Sequence, residues 1–245
     1  MLRYRYPFNR GVGNYIRALL DSYELTDNAE YVARAESVIT ETFGASDNIE
    51  MRNLDNIEET WFYTVFLQEV VRYLDVKRLA SQFDSEFYKV RRALLHYAHW
   101  MADNEKPYLL QRDKLEYPND TWAAQDIRKA NVLYGAYQYS RENRAALLNR
   151  ARFFRDYVTN HLSSSDTLHF ARIQALLLQN HGPAGAMNNE CEPHDIPAEA
   201  ASCENDTSLY RRSDIVKSAL KGLVRVAKTT SPQREYAWVR TRLGK

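Results

Sequence analysis

Residues that make tight turns are scarce in this sequence, which has 8 glycines and 7 prolines among 245 residues. An all-β sandwich or barrel needs frequent tight turns, so the scarcity argues against both architectures. Cysteine is scarcer still, with 2 residues, and a chain of this length can bury a sizeable core without disulfide or metal cross-links. No apolar run approaches the ~20 residues that a membrane-spanning helix needs, so no membrane association is expected.

An excess of charge of one sign is also missing, because 33 Lys and Arg residues face 32 Asp and Glu residues and leave a formal net charge of +1. Proteins that hold nucleic acid or an anionic membrane by bulk charge carry a strong positive excess, so neither partner is expected. The first ten residues (MLRYRYPFNR) lack the apolar segment of a signal peptide. A cytoplasmic location is therefore favoured for the chain as given.

Helical periodicity is the main signal that the sequence does contain. Hydrophobic residues make up 44% and charged residues 27%, which is the range of ordinary globular domains and excludes disorder over most of the chain. Apolar residues recur at spacings of three and four, and no segment alternates as a strand would, so the sequence predicts an all-α fold. The predicted helices span residues 11–25, 28–43, 57–75, 85–103, 121–139, 144–162, 166–180 and 213–228.

The predicted helices alternate in character along the chain. Residues 57–75 and 121–139 are apolar around most of the helix, whereas residues 85–103 and 144–162 carry a single apolar stripe. A helix that is apolar all round is surrounded by other helices, and a one-striped helix faces water. The alternation predicts stacked antiparallel α-hairpins with an inner and an outer layer.

The connections between the predicted helices indicate where function lies. One domain is expected over residues 1–228, followed by a polar tail at 229–245. The connections from outer to inner helices, at residues 44–56 and 105–120, are long, and scaffolds carry function on such loops. The face they form gathers the starts of the inner helices, where free N–H groups and the helix dipole favour anions. The long polar loop at 181–212 is expected on the opposite side.

Three segments at the predicted starts of inner helices resemble one group of proteins. They are residues 9–15 (NRGVGNY), 58–63 (EETWFY) and 116–126 (EYPNDTWAAQD). Their pattern, which extends over about residues 1–180, is similar to that of α/α toroids, the group of the six-hairpin glycosidases and of the helical domains of heparinase- and alginate-type polysaccharide lyases. The resemblance implies an active face at those helix starts and a carbohydrate ligand that is processed by hydrolysis or β-elimination.

The predicted helices make four hairpins, two fewer than the closed ring of six that the resemblance implies. The fold is therefore expected to be a partial toroid: an incomplete arc, a ring closed by a partner such as a second copy, or the C-terminal part of a longer protein. Two other functions stay open. One is a non-catalytic domain that binds a glycan or a protein, and the other is a helical scaffold of a larger enzyme.

Asp126 is the first candidate catalytic residue. At about 100° per residue it lies on the same arc of its helix as Trp122, Ala130 and Leu133. A carboxylate on a buried arc near a helix start is either tuned for chemistry or paired with a cation. Two interpretations follow: a general acid or base in a cleft, or a structural ion pair with Lys129 or with an arginine of a neighbouring helix.

Glu59 and Glu116 are the other candidate catalytic residues, because with Asp126 they would supply the two carboxylates of a glycoside hydrolase. Each also has a structural explanation, Glu59 as a first-turn residue that favours the helix dipole and Glu116 as part of a solvated loop. A lyase would instead need a Tyr or His base and polar groups that neutralise a uronate carboxylate. The residues of this kind are Asn9, Arg10, Asn14, Tyr15, Tyr63, Tyr117 and His169.

Candidate substrate-binding residues lie around those carboxylates in the same three segments. Trp61 and Trp122 occupy equivalent first-turn positions, where an indole either stacks on a sugar ring or packs in the core. The full set of candidates is Arg10, Asn14, Trp61, Tyr63, Tyr117, Trp122 and Gln125.

Cys191 and Cys203 bracket a polar loop that also holds His194. Two cysteines twelve residues apart, with no second pair, are a weak zinc signal, so a zinc site, a disulfide and two free thiols all stay open and a metal is not expected. The sequence has no phosphate-binding glycine-rich loop, no H-E-x-x-H and no G-x-S-x-G motif. No cofactor is therefore expected.

Overall fold

The computed structural model describes residues 4–167, 170–187 and 192–199, all within the first of two units into which the chain divides, Met1–Glu199. Every regular element among these residues is helical and none of them forms a strand, which confirms the all-α prediction. Several predictions fall outside the described residues: the helix at 213–228, the tail at 229–245, and His169, Cys191 and Cys203.

Nine α-helices lie in the described part of the chain. They are α1 (Arg10–Thr26), α2 (Ala29–Thr40), α3 (Ile57–Thr60), α4 (Tyr63–Leu79), α5 (Ser85–Asn104), α6 (Asp120–Tyr139), α7 (Arg144–Ser163), α8 (Ala171–Gln179) and α9 (His181–Ala186). Two 3₁₀ segments, Ile49–Arg52 and Tyr108–Lys114, lie in the long connections before α3 and before α6.

The helix predicted at residues 57–75 is divided into α3 and α4 at Trp61 and Phe62. The N–H groups of Thr64 and Val65 donate to carbonyl groups three residues back, at N···O distances of 3.4 and 3.0 Å. The regular bonding to the fourth preceding residue is therefore interrupted, while the backbone of the two aromatic residues stays close to helical. The spacing of apolar residues continues through this interruption, so the sequence pattern does not predict that the helix is divided.

The helix predicted at residues 166–180 begins later, at Ala171. Ser165 donates a hydrogen bond from its hydroxyl to the carboxylate of Asp120 and accepts one from the N–H of Thr167 (3.1 Å). These hydrogen bonds stabilise a non-helical backbone after the end of α7, as serine and aspartate side chains often do outside helices.

Asparagine caps fix the residues at which α1 and α6 begin. The side-chain oxygen of Asn9 accepts the N–H of Val12 at 3.1 Å, and that of Asn119 accepts the N–H of Thr121 at 2.9 Å. Both cap residues have the extended backbone that N-caps adopt. The caps place two of the three segments from the sequence analysis at helix starts.

Helix α6 lies at the centre of the packing. It contacts α4, α5, α7, α8 and α9, while α1 packs against α2 and α4. Because it has neighbours on several sides, 16 of its 20 residues are buried. Apolar residues alone do not fill that surface, so α6 also buries polar and charged side chains, and these set the chemistry of the site.

A glycine allows a close approach of α1 and α4. A Cβ atom on Gly13 would lie 3.0 Å from the backbone nitrogen of Phe66 and 3.1 Å from its Cα. Contacts that short with backbone atoms cannot be relieved by turning a side chain. The absence of a side chain at Gly13 therefore sets the distance between the first turns of α1 and α4.

Asp47 anchors the connection between α2 and α3. Its carboxylate accepts hydrogen bonds from the hydroxyl of Tyr97 (2.6 Å), from the guanidinium of Arg52 (2.6 Å) and from the hydroxyl of Tyr4. The charge-assisted bond from Tyr97 fixes the loop on α5, and the bonds from Arg52 and Tyr4 hold it to its own 3₁₀ segment and to the N-terminal segment. The loop is thus an ordered part of the fold.

The segment at 192–199 lies at the end of α6 that is opposite to its start. His194 donates its backbone N–H to the carbonyl of Gln138 (3.1 Å), and the guanidinium of Arg141 donates to the carbonyl of Ile196 (2.6 Å). A helix of 20 residues is about 30 Å long, so this segment is far from Trp122. Among the described residues, no helix has the length and apolar character to cross a membrane.

Candidate functional site

Two of the three segments from the sequence analysis meet where α4 and α6 begin. The rings of Trp61 and Trp122 are perpendicular, with centroids 6.0 Å apart, and the N–H of Glu116 donates to the carboxylate of Glu58 at 2.7 Å. Both indoles are half-buried. A small separate apolar cluster lies beneath them, formed by Ile57, Tyr108, Leu109, Leu115 and Ala123.

The remaining segment, residues 9–15, lies at the start of α1 and approaches the start of α4. Gly13 sets α1 against the start of α4, and one turn further on Arg17 forms an ion pair with the buried Glu69 of α4 (2.6 Å). The positive charges of Arg17 and Arg10 both lower the pKa of Arg128 on α6. The close approach at Gly13 thus links the segment at 9–15 to the start of α4, whereas Arg17, Glu69 and Arg128 lie further along α1, α4 and α6.

Asp126 lies in a group of buried charges that we call the buried ion cluster: Glu105, Asp126 and Lys129 with Tyr63 and Tyr108. Asp126 has no exposed surface. One carboxylate oxygen accepts the N–H of Tyr108 at 3.0 Å, and the other lies 3.0 Å from the ammonium of Lys129. Lys129 also contacts the carboxylate of Glu105 at 2.7 Å, and Glu105 accepts the hydroxyl of Tyr63 at 2.5 Å. The ion pair with Lys129, one of the two interpretations of Asp126, is therefore present.

Burial and the neighbouring charges act in opposite directions on the pKa of Asp126. Burial raises the pKa of Asp126 to about 6, against the attraction of Lys129 and the hydrogen bond from Tyr108. Burial also raises the pKa of Tyr63 and of Tyr108 well above 10, so both stay neutral. Such a carboxylate has the pKa of a general acid near neutral pH. Its catalytic role stays a prediction, and in this conformation solvent does not reach it.

Glu59 and Glu116 are exposed near the paired indoles. The carboxylate of Glu59 accepts the side-chain amide of Asn56 at 2.9 Å, which holds it beside α3. Tyr117 is 72% exposed and follows Glu116 at the same rim. These side chains are accessible to a ligand, in contrast to Asp126.

The other candidate binding residues differ widely in exposure. Arg10 and Asn14 are exposed on α1, whereas Tyr63 is buried with its hydroxyl on Glu105. Gln125 is buried on α6 and accepts a hydrogen bond from the guanidinium of Arg128 (2.9 Å). That bond leads to a residue that the sequence analysis did not select.

Arg128 is a buried arginine with only neutral hydrogen-bond acceptors. It is 8% exposed, and its guanidinium donates to side-chain oxygens of Gln125 (2.9 Å), Gln68 (2.9 Å) and Gln179 (3.4 Å). No carboxylate of the described residues forms an ion pair with it. We call Gln68, Gln125 and Gln179 the amide shell of Arg128.

The pKa of Arg128 is shifted in the direction expected for a buried cation without an ion-pair partner. Burial, together with the like charges of Arg17 and Arg10, lowers the pKa of Arg128 to about 10, while Tyr108 and Glu69 act in the opposite direction. Even so, the guanidinium stays charged at neutral pH. The region between α4, α6 and α8 therefore holds a fixed positive charge.

A network of side-chain amides positions Gln68 and so Arg128. The amide of Gln68 donates to the side-chain oxygen of Asn180 at 2.7 Å, and the amide of Asn131 donates to the backbone carbonyl of Asn180 at 3.0 Å. Asn180 follows α8 directly, so the network joins α4, α6 and α8. An arginine fixed in this way is pre-organised for recognition.

Within the described ranges, no group of three or more His, Cys, Asp or Glu side chains is arranged to hold a metal ion. Comparisons with protein-family models, with curated proteins and with solved structures found no match to this chain.

Proposed function

We propose that the protein is a partial α/α toroid with α1, α4, α6 and α8 in its inner layer and α2, α5 and α7 in its outer layer. The order of helix packing supports this arrangement, because α1 packs on α4, α4 on α6 and α6 on α8. The outer helices follow the same order, with α2 against α5 and α5 against α7. Consecutive helices α1 and α2, α4 and α5, and α6 and α7 also pack as pairs, as α-hairpins do.

The proposed function of this arc is to bind a carbohydrate at the face where α1, α4 and α6 begin. The observation that carries the proposal is the meeting of Trp61 and Trp122, 6.0 Å apart, beside exposed carboxylates. Partly exposed indoles offer an apolar surface on which a sugar ring stacks, and nearby carboxylates accept hydrogen bonds from its hydroxyl groups. This face is also the one that the resemblance to α/α toroids implies.

Hydrolysis or elimination at this face is the second candidate function. Glu59 and Glu116 favour it, because both are exposed near the indoles and a hydrolase needs two such groups. The burial of Asp126 in an ion pair with Lys129 favours binding without turnover, because the carboxylate with the most suitable pKa has no exposed surface. Binding is therefore placed first.

A panel of neutral and acidic oligosaccharides tests the proposal. Isothermal titration measures binding, and assays for new reducing ends and for unsaturated products measure hydrolysis and elimination. Trp61→Ala should weaken binding roughly 2- to 10-fold, which corresponds to the binding free energy of one aromatic contact. Trp100→Ala is the matched control, because Trp100 is also half-buried but lies on α5. A panel in which no carbohydrate binds would overturn the proposed function.

Product formation would assign the catalytic residues. Glu59→Gln and Glu116→Gln alter exposed side chains and should leave the fold unchanged. Loss of turnover in either variant, with binding retained, would place catalysis at the rim. Loss in Asp126→Asn alone would place it at the buried ion cluster, as the sequence analysis expected. Binding without product in the unmodified protein would identify a non-catalytic domain.

A further inference from the structure

The uncompensated charge of Arg128 is costly unless a ligand pairs with it. A buried cation that lacks a counter-ion loses its hydration and gains little in return. Here the guanidinium is 8% exposed and has only amide oxygens as partners. The carboxylate of Glu69 is already paired with the neighbouring Arg17 at 2.6 Å, so it does not serve as the counter-ion of Arg128.

The hydrogen bonds of Arg128 leave donors free for a negatively charged ligand. A guanidinium carries five N–H groups, and three of them are used by the amide shell. Two N–H groups on the terminal nitrogens therefore have no acceptor among the described residues. Paired N–H groups in one plane match the two oxygens of a carboxylate.

The amide shell has a weak member at its outer edge. Gln179 is exposed and is bonded to Arg128 at 3.4 Å, whereas buried Gln125 is bonded at 2.9 Å. A charged oxygen binds a guanidinium more strongly than a neutral amide does. An incoming anion can thus replace Gln179 without disturbing the partners that hold Arg128 in place.

We infer that Arg128 is the receptor for a single carboxylate of the ligand, which displaces Gln179. On the proposed function, this makes the bound carbohydrate an acidic one, with the carboxylate of a uronic acid on Arg128. Arg10, exposed at the start of α1, adds positive potential that attracts such a ligand.

The test measures binding of sodium glucuronate, glucose, sodium acetate and sodium sulfate at constant ionic strength, together with oligogalacturonate and its carboxyl-reduced form. Glucuronate and oligogalacturonate should bind, and glucose and the reduced form should bind at least about 10-fold more weakly. Arg128→Gln should weaken binding of the acidic sugars about 10- to 100-fold, the range for loss of hydrogen bonds to a charged group. Arg92→Gln, an exposed arginine on α5, is the control and should change nothing.

A further variant separates recognition from folding. Gln179→Ala should leave acidic-sugar affinity unchanged or raise it, because the competing acceptor is gone. A loss of affinity in Gln179→Ala would contradict the displacement.

The outcomes distinguish this inference from the proposed function. Equal binding of acidic and neutral sugars, with no effect of Arg128→Gln, would overturn the carboxylate receptor and leave carbohydrate binding standing. Binding of acetate and other small carboxylates through Arg128, with no binding of any sugar, would keep the receptor and overturn the proposed function. Binding of sulfate alone, or of no anion, would overturn the receptor.

Discussion

Replacing Lys129 by methionine would remove the ammonium from the buried ion cluster and leave its two carboxylates. Asp126 would keep the N–H of Tyr108, and Glu105 would keep the hydroxyl of Tyr63, but no cation would remain between them. Methionine has a similar volume, so the change creates little cavity. We expect the free energy of unfolding to fall by about 3–5 kcal/mol at neutral pH, the usual cost of breaking a buried ion pair from one side.

The pH dependence of this loss follows from Asp126. Burial raises its pKa from 3.8 to about 6 in the folded protein, so the folded state keeps a proton that the unfolded chain releases. The stability linked to this group is complete below about pH 3.8 and falls as the pH rises through about 6, by about 3 kcal/mol in all. In Lys129→Met the pKa of Asp126 rises further, because the attraction of Lys129 is gone. The free energy of unfolding of the variant therefore keeps falling to a higher pH than that of the unmodified protein.

Urea denaturation at about pH 5 and about pH 7.5 measures both effects, and the variant should lose more stability at the higher pH. Lys77→Met is the matched control, because Lys77 is also buried and contacts two carboxylates, of Glu36 at 3.0 Å and Asp84 at 2.5 Å. Those side chains are 23% and 51% exposed, so water solvates them and the cost should be smaller and nearly independent of pH. A loss below about 1 kcal/mol in Lys129→Met, or an equal loss at both pH values, would refute the reasoning.

Substitutions at three other positions, Gly13, Asn9 and Asp47, test the fold. Gly13→Ala should destabilise the protein by about 1–3 kcal/mol in urea denaturation, because its Cβ would meet backbone of α4. Gly182→Ala, which meets nothing within 4 Å, should be neutral or stabilising, and an equal loss in both would contradict the close-approach argument. Asn9→Ala should cost about 1 kcal/mol, with most of it recovered by Asn9→Ser as a capping residue. Burial alone would raise the pKa of Asp47, but hydrogen bonds from two tyrosines and an arginine hold it below 3.8. The stability that Asp47 contributes is therefore present above that pH and is lost on acidification, so the difference between the protein and Asp47→Asn should narrow as the pH falls.

The helical class could be predicted from the sequence because apolar spacing is a local property. The caps Asn9 and Asn119 lie just before the apolar periods that they begin, and α6 is predicted within one residue of its observed start. The division at Trp61 was missed, because it changes hydrogen bonding without changing side-chain periodicity. Ser165 delays α8 through a bond to a residue far along the chain, which no local pattern contains.

The candidate site was predictable only in part for the same reason. Asp126 and Lys129 are three residues apart on one helix, so their pairing was one of the interpretations that spacing alone suggested. Glu105 joins them from another part of the chain, and its role needed the fold. In the sequence, Arg128 cannot be told apart from any other arginine of a helix. Its lack of a carboxylate partner becomes visible only when the fold brings Gln68 and Gln179 to its guanidinium.

The central position of α6 has a consequence for motion. An amide on a helix that is covered on several sides exchanges its hydrogen with water only when the whole domain opens, so the slowest exchange should be found along α6. Arg128 therefore lies on the helix that we expect to be the most rigid in the described part of the chain. We therefore expect any conformational change on ligand binding to occur in α1 or α8, which contact fewer helices than α6 does.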